Sequence, residues 1–273
     1  MISDEDSITL NYSGFRSVIT LMPIQELVPH EEVNEIHLNE LVFLLKSDPF
    51  LNDPIIVDER SHVVLDGMHR LEALKKLGLR FAPCMLVNYN DERIQVDKWV
   101  REAYIKNEIN IGDLFNDLIK NIEDEMILSM KVGEEIFSDL KMNDLLKRNF
   151  FIILNNILLY IEKINLEKNI KLVKYLDDKL NVTQFIAFED LSSVKKRKSE
   201  SIFFSGRIVE KNEIINQAKV GRLFPPKTTR HILPYRVKNL KVPLSFLLER
   251  DLRNARSKFM AWLDGRKIEI KVG

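Results

Sequence analysis

The stretch of the chain best suited to chemistry covers residues 63–78, Val-Val-Leu-Asp-Gly-Met-His-Arg-Leu-Glu-Ala-Leu-Lys-Lys-Leu-Gly. An acid, Asp66, opens an Asp-Gly turn pair, and two nitrogen-bearing side chains, His69 and Arg70, follow shortly after it. Residues 63–65 read as a short buried strand. Leu71, Leu74 and Leu77 then recur at helical spacing until Gly78 stops the pattern. A strand that turns sharply into a helix leaves the first N–H groups of that helix unpaired. Together with the positive end of the helix dipole, these donors attract anions. With Asp66 at the entrance, the chemistry that fits is a phosphate and its metal ion. The plainer alternative is that Asp66 only caps the helix, worth about 1 kcal/mol, while His69 and Arg70 lie on a solvated face.

Two other segments bear on that choice. His30-Glu31-Glu32 stands between a strand pattern and a helix pattern, a place from which a glutamate can take a proton from a hydroxyl. Two adjacent acids are also what a helix's first turn favours for its dipole. Residues 224–231 read Phe-Pro-Pro-Lys-Thr-Thr-Arg-His. The prolines stiffen a loop that presents Lys227, Thr228, Thr229, Arg230 and His231. Lysine offers phosphate a point charge, arginine a planar fork and threonine a neutral donor; a solvated basic loop is the competing reading. Trp99 reads either as a pocket wall or, from residue type alone, as an anchor for the segment after it. The sequence has no GxxxxGK[ST], no protein-kinase glycine loop, no GxSxG and no HExxH. A phosphoryl-transfer enzyme built from it belongs to neither common group.

The elements that must position these residues follow from the apolar pattern. Residues 16–24 predict a strand, and Ile36, Leu38, Leu41, Leu44 and Leu45 a helix from Asn34 to about Ser47. Residues 54–57 and 63–65 form a hairpin about the turn at 58–61, and 84–87 a further strand. Ile111, Leu114, Phe115, Leu118, Ile119 and Ile122 share one face of an amphipathic helix, and helical pattern continues through 134–178. The apolar run 149–161 is too short to span a bilayer, which needs about 20 residues, and reads as a buried helix. Residues 193–201, rich in lysine and serine, predict an exposed loop, and a helix over 245–263 closes a final α/β segment. The fold class is therefore α/β (α+β). Residues 1–104 form a domain of short strands and helices, 105–200 a helical connector, and 201–273 a smaller basic lobe.

The 273 residues are 45% hydrophobic, enough for a sizeable core, with 41 basic and 41 acidic side chains. That formal neutrality hides an asymmetry, since residues 206–273 carry 16 Lys/Arg against 6 Asp/Glu, leaving 25 against 35 in the remainder. A basic lobe facing an acidic one suits an anionic ligand, with nucleic acid as the rival explanation. A single cysteine, Cys84, excludes internal disulfides and any cysteine-rich zinc site. It sits in an apolar run and reads as a core residue. The acidic start of the chain lacks the layout of a signal peptide, and no segment spans a membrane. These features predict a cytoplasmic protein.

Taken together, residues 27–33 (Leu-Val-Pro-His-Glu-Glu-Val), 64–70 (Val-Leu-Asp-Gly-Met-His-Arg) and 224–231 resemble the free-serine kinases of the ParB/sulfiredoxin-like superfamily. The Asp-Gly-x-His-Arg block marks the superfamily, while the Pro-His-Glu and Pro-Pro-Lys-Thr-Thr-Arg-His blocks point to the serine kinases. The resemblance implies an N-terminal ParB/sulfiredoxin-like nucleotide-binding domain and transfer of a phosphoryl group from ATP or ADP to free L-serine. The product is O-phospho-L-serine, which can feed cysteine biosynthesis. It further implies Glu31 as the general base and Asp66 as the holder of magnesium. Gly67, Met68, His69 and Arg70 would join Asp66 at the nucleotide phosphates, Trp99 would border the serine site, and Lys227, Thr229 and His231 would bind the transferred phosphate and product. The family can carry histidine where this chain has Met68; a backbone contact survives that change and a side-chain contact does not. A sulfiredoxin would need cysteine at Met68. A ParB-type DNA-binding protein, the alternative, usually shows Gly-Glu-Arg-Arg here and a helix-turn-helix after it.

Overall fold

The computed structural model describes residues 6–105, 127–131, 139–154, 157–193 and 201–272, together with 114, 116–118, 120 and 136. It divides into two compact units: Met1–Gln95, Lys211–Pro226 and His231–Gly273 make up unit 1, and Val96–Glu210 and Lys227–Arg230 make up unit 2.

Unit 1 starts with β1 (Ile8–Tyr12) and β2 (Phe15–Pro23), joined by Ser13-Gly14. Both joining residues have positive φ, as a two-residue hairpin turn demands. Then come α1 (Glu35–Ser47), β3 (Phe50–Leu51), β4 (Ile55–Asp58), β5 (Val64–Asp66), α2 (Met68–Lys76) and β6 (Phe81–Val87). The sheet order is β1-β2-β6-β4-β5, with β4 and β6 parallel and every other pair antiparallel. All seven residues of β6 are buried, as expected of a central strand covered on both faces. Helix α2 buries Met68, Leu71, Ala73 and Leu74. In α1 only Leu38 and Leu45 of the expected stripe are buried, and Ile36 and Leu44 are exposed. Cys84 is a core residue, and burial pushes its thiol pKa up.

The middle of the chain corrects the expected helical connector. After β7 (Gln95–Asp97), unit 2 contains β8 (Trp99–Ile105), β9 (Ile127–Lys131), α3 (Leu140–Arg148), β10 (Phe150–Leu154), β11 (Ile157–Ile161), α4 (Leu166–Lys179), β12 (Leu180–Ala187) and β13 (Ile202–Ser205). Its sheet runs β12-β8-β13-β10-β11-β9, antiparallel throughout. The apolar run 149–161 is thus two paired strands rather than a buried helix. Periodicity cannot separate a buried strand from a buried helix, but two five-residue runs rich in Phe, Ile and Tyr, parted by Asn155-Asn156, carry a hairpin signal. Strand β10 is buried on both faces. Phe150, Ile152 and Leu154 pack with Leu172, Val173 and Leu176 of α4, while Phe151 and Ile153 pack with Leu146, Leu158 and Phe203. Of the helix expected over 111–122, residues 114, 116–118 and 120 are helical, and Leu114 and Leu118 are buried; the rest lies outside the described residues, as does most of the loop expected at 193–201.

Unit 1 is completed by α5 (Lys211–Lys219), β15 (Tyr235–Lys238), β16 (Val242–Pro243), α6 (Leu244–Leu247), α7 (Leu252–Leu263) and β17 (Glu269–Val272), with β14 (Arg230–Ile232) starting at the boundary. The expected helix over 245–263 is therefore two helices. Strand β15 pairs with β17 and β16 with β3, and Arg256 of α7 donates to the Leu21 carbonyl of β2. These elements are part of unit 1 rather than a separate basic lobe. No described helix is long and apolar enough to cross a membrane.

Candidate active site

In unit 1 the chemistry gathers at the C-terminal end of β5. Asp66 is the last residue of that strand, and Gly67, at φ +105°, turns the chain into α2. A residue with a Cβ is strained at this φ, and a Cβ there would come within 3.0 Å of the Arg70 guanidinium. The N-cap position of α2 falls on Gly67, which has no side chain to cap with, and not on Asp66. Its carboxylate, 45% exposed, instead meets Arg70 Nη2 at 3.3 Å and Arg236 Nη1 at 2.7 Å. Arg70 is also committed to main chain, donating to the carbonyls of Asp53 at 3.0 Å and of Pro54. The Met68 side chain is buried, so a contact with a ligand would come through its backbone N–H. His69 Nε2 accepts from Asn34 N at 3.1 Å, and Asn34 caps α1. The imidazole thus stands where two helices begin.

Glu31 reaches the same end of β5 by main-chain pairing. Val28 pairs in parallel with Val63, and Val64 N donates to the Val28 carbonyl at 2.9 Å. His30 is buried and its Nδ1 lies 2.6 Å from the Val64 carbonyl. A carbonyl only accepts, so Nδ1 carries the proton. Burial lowers the His30 pKa, against the pull of Glu31, which makes the neutral ring the stable form. Its Nε2 lies 3.7 Å from Glu31 Oε1, and the Glu31 side chain is 10% exposed. Phe224 pairs with Glu31, donating to the His30 carbonyl and accepting from Glu32 N, both at 2.9 Å. Two of the sequence blocks therefore meet through backbone.

His231 belongs to this unit as well. It is 3% exposed, its ring packs edge-on to His30 at 5.5 Å, and its Nε2 lies 2.7 Å from the Tyr89 hydroxyl. Burial first, and His30 second, hold its pKa well below the ordinary histidine value. It would meet a phosphate as a neutral imidazole and not as a cation.

In unit 2 the geometry centres on Trp99, the first residue of β8. Its indole Nε1 donates to the Thr229 carbonyl at 3.2 Å, and the Lys227 ammonium stands 4.8 Å from the ring centroid. The Arg230 guanidinium is 5.6 Å from the same centroid and pairs with Glu189 at 2.7 Å. Lys227 has φ +58°, uncommon for a residue with a side chain and a mark of a backbone held by its surroundings. Thr228 and Thr229 are buried. The two threonines and the Trp99 contacts dock this loop, while Lys227 itself remains exposed.

The structure thus brings Glu31, the 66–70 turn and His231 together in unit 1, and Trp99, Lys227 and Thr229 together in unit 2. The sequence reading missed Arg236, Tyr89 and Glu189. The tyrosine was the most accessible of these, because a buried phenol needs a partner for its hydroxyl. Nothing in the sequence signals that Arg236 pairs with an acid 170 residues away. A cavity of about 670 Å³ in unit 1, bordered by His62, Glu26, Arg16 and Arg256, lies toward the opposite end of β5 and includes none of these site residues.

No family model matches the chain. A curated ATP-dependent L-serine kinase of Staphylothermus marinus is 30% identical over 236 residues, covering 79% of this chain and 85% of that protein. A ParB-like protein of Sulfolobus acidocaldarius is 28% identical, covering 81% and 94%. Among solved structures, a free serine kinase variant in complex with ADP superposes with a TM-score of 0.62 at 20% identity, over 90% of this chain and 99% of that one.

Proposed function

The chain belongs to the L-serine kinase family, and from that premise we propose that it transfers a phosphoryl group from ATP or ADP to the hydroxyl of free L-serine, giving O-phospho-L-serine. The observation that carries this reading is the pairing, within unit 1, of a largely buried glutamate with a glycine-led helix N-terminus. A base and an anion site are what transfer to an alcohol needs, since positioning and charge neutralisation supply most of the catalysis. Glu31 takes the serine proton. The N–H groups at Gly67 and Met68, with His69, receive nucleotide phosphate. In unit 2, Trp99 borders serine, and Lys227 and Thr229 receive the transferred phosphate. His231 binds the transferred phosphate and product as a neutral imidazole, packed against His30. The product suits cysteine-forming chemistry, in which phosphate is a good leaving group.

Magnesium fits Asp66 in a limited way. Among the described residues no group of three His, Cys, Asp or Glu side chains could hold a metal. A single half-exposed carboxylate completed by nucleotide phosphates and water is, however, the usual arrangement for this cation. It would have to compete with Arg70 and Arg236 for Asp66. Bound there, it would neutralise charge on the phosphates. Asp66→Asn is expected to raise the magnesium concentration needed for half-maximal nucleotide binding, measured by calorimetry. An unchanged requirement would leave Asp66 as an anchor for the two arginines.

The direct test is to incubate purified protein with L-serine, magnesium and either ATP or ADP, and to assay O-phosphoserine. Appearance of the product with one donor supports the proposal and identifies that donor. No product with either, together with tight, salt-dependent binding to a DNA site, would replace it with the ParB-like reading.

A further inference from the structure

We infer that Lys98, a fully buried lysine that the proposed chemistry does not use, is a positioning residue that sets the Trp99 indole and, through it, the loop carrying Lys227. The inference rests on the serine-kinase reading for its kinetic consequence only. Lys98 is 1% exposed. Its Nζ donates to the carbonyls of Leu146 at 2.5 Å, Asn149 at 3.2 Å and Gly206 at 2.7 Å, and stands 4.9 Å and 5.4 Å from the rings of Phe151 and Phe188. Three carbonyls accept from one nitrogen only if it has three hydrogens, so the group is an ammonium. Burial works against that charge and lowers the Lys98 pKa. The neighbouring Asp97 carboxylate pulls the other way, and the carbonyls and ring faces give the ammonium its direct contacts.

Two of the carbonyls, Leu146 and Asn149, belong to the C-terminal end of α3, where the helix dipole favours a cation. The third follows β13. One side chain thus ties a helix end and a strand end to the residue before Trp99. The backbone is held on both sides of that contact. Phe188 N donates to the Lys98 carbonyl at 3.2 Å, and Ser205 Oγ donates to the Trp99 carbonyl at 2.9 Å. Trp99 then has little freedom in where its indole points. The indole in turn holds the Thr229 carbonyl and faces Lys227. A lysine present only to fill space would not need three convergent acceptors, and an apolar residue of the same length would leave all three without its hydrogens.

The test uses the full chain with Trp262→Phe, which leaves Trp99 as the only one of the two tryptophans, and adds Lys98→Met. The expected result is a shifted Trp99 emission with greater acrylamide quenching. Alongside it, serine KM should rise roughly ten- to a hundredfold, the loss that a misplacement of about 1 Å can bring, with ADP affinity within about twofold of the parent. Unchanged Trp99 emission and serine KM in a folded variant overturn the proposal. So does a parallel loss of ADP affinity, which would show general destabilisation. If Lys98→Met does not fold, Lys98→Arg takes its place, because a planar guanidinium cannot direct three donors from one atom, and the same readouts decide. If the parent makes no O-phosphoserine, the kinase reading fails, while the emission measurement still decides Lys98.

Discussion

Glu31→Gln is expected to lower turnover by about 10² to 10⁴, the usual contribution of a general base, while leaving nucleotide affinity near that of the parent. The amide keeps the shape of the side chain and removes its ability to take the serine proton. The geometry makes the comparison clean. Glu31 is held by backbone pairing with Phe224, so the substitution need not move the loop, and the N–H groups at Gly67 and Met68, proposed above to receive phosphate, lie on a different element. The ring beside it, His30, is stable in the neutral form and fixed by the Val64 carbonyl. Glu32→Gln is the control, with an effect of less than about tenfold because that residue lacks the base's task. Single-turnover rates and ADP binding measured on both variants decide the matter. Equal losses at the two positions would show that the pair acts as a charge and not through one base.

Lys227→Ala is expected to reduce turnover by about 10² to 10³, the range seen when one preorganised donor to a developing charge is removed. The structure strengthens the physical case. Lys227 follows two prolines, has positive φ, and keeps its ammonium over the Trp99 ring. A charge held this way is aimed before the substrate arrives. Lys267, exposed like Lys227 but without its positive φ, is the comparison, and its truncation should change turnover by less than about twofold, as expected of a screened surface charge. Both variants should be assayed at low and moderate salt. Small and similar losses for the two would mean that the loop docks on Trp99 for stability alone, and phosphate recognition would have to be sought elsewhere, beginning with Arg236.

Local signals carried much of unit 1. The Asp66-Gly67 turn, the helix after it and the strands at 54–57, 63–65 and 84–87 are local events, decided by turn chemistry and by which residues alternate or recur every three to four positions. The error over 149–161 has the opposite origin. Each half of that run, 150–154 and 157–161, is apolar at every position and has no period to read, and it is the pairing of the halves with each other and with β13 and β9 that gives them a strand's hydrogen bonds. The exposed Ile36 and Leu44 of α1 are a related case, where the helix formed as its pattern predicts but the stripe was not fully covered.

Residue types and spacing were enough to pick out the acid beside a helix N-terminus, the candidate base and the donor-rich loop, because each is a short segment whose chemistry is local. What those groups are once folded was decided by contacts far apart in the chain. Tertiary structure gave Asp66 its partner Arg236, buried His231 against Tyr89 until its neutral form prevailed, and set Lys227 over Trp99. The physical reason is that charge state and direction depend on burial and on the neighbouring dipoles and charges. Those neighbours come from strands and helices that pair only when the whole chain has folded.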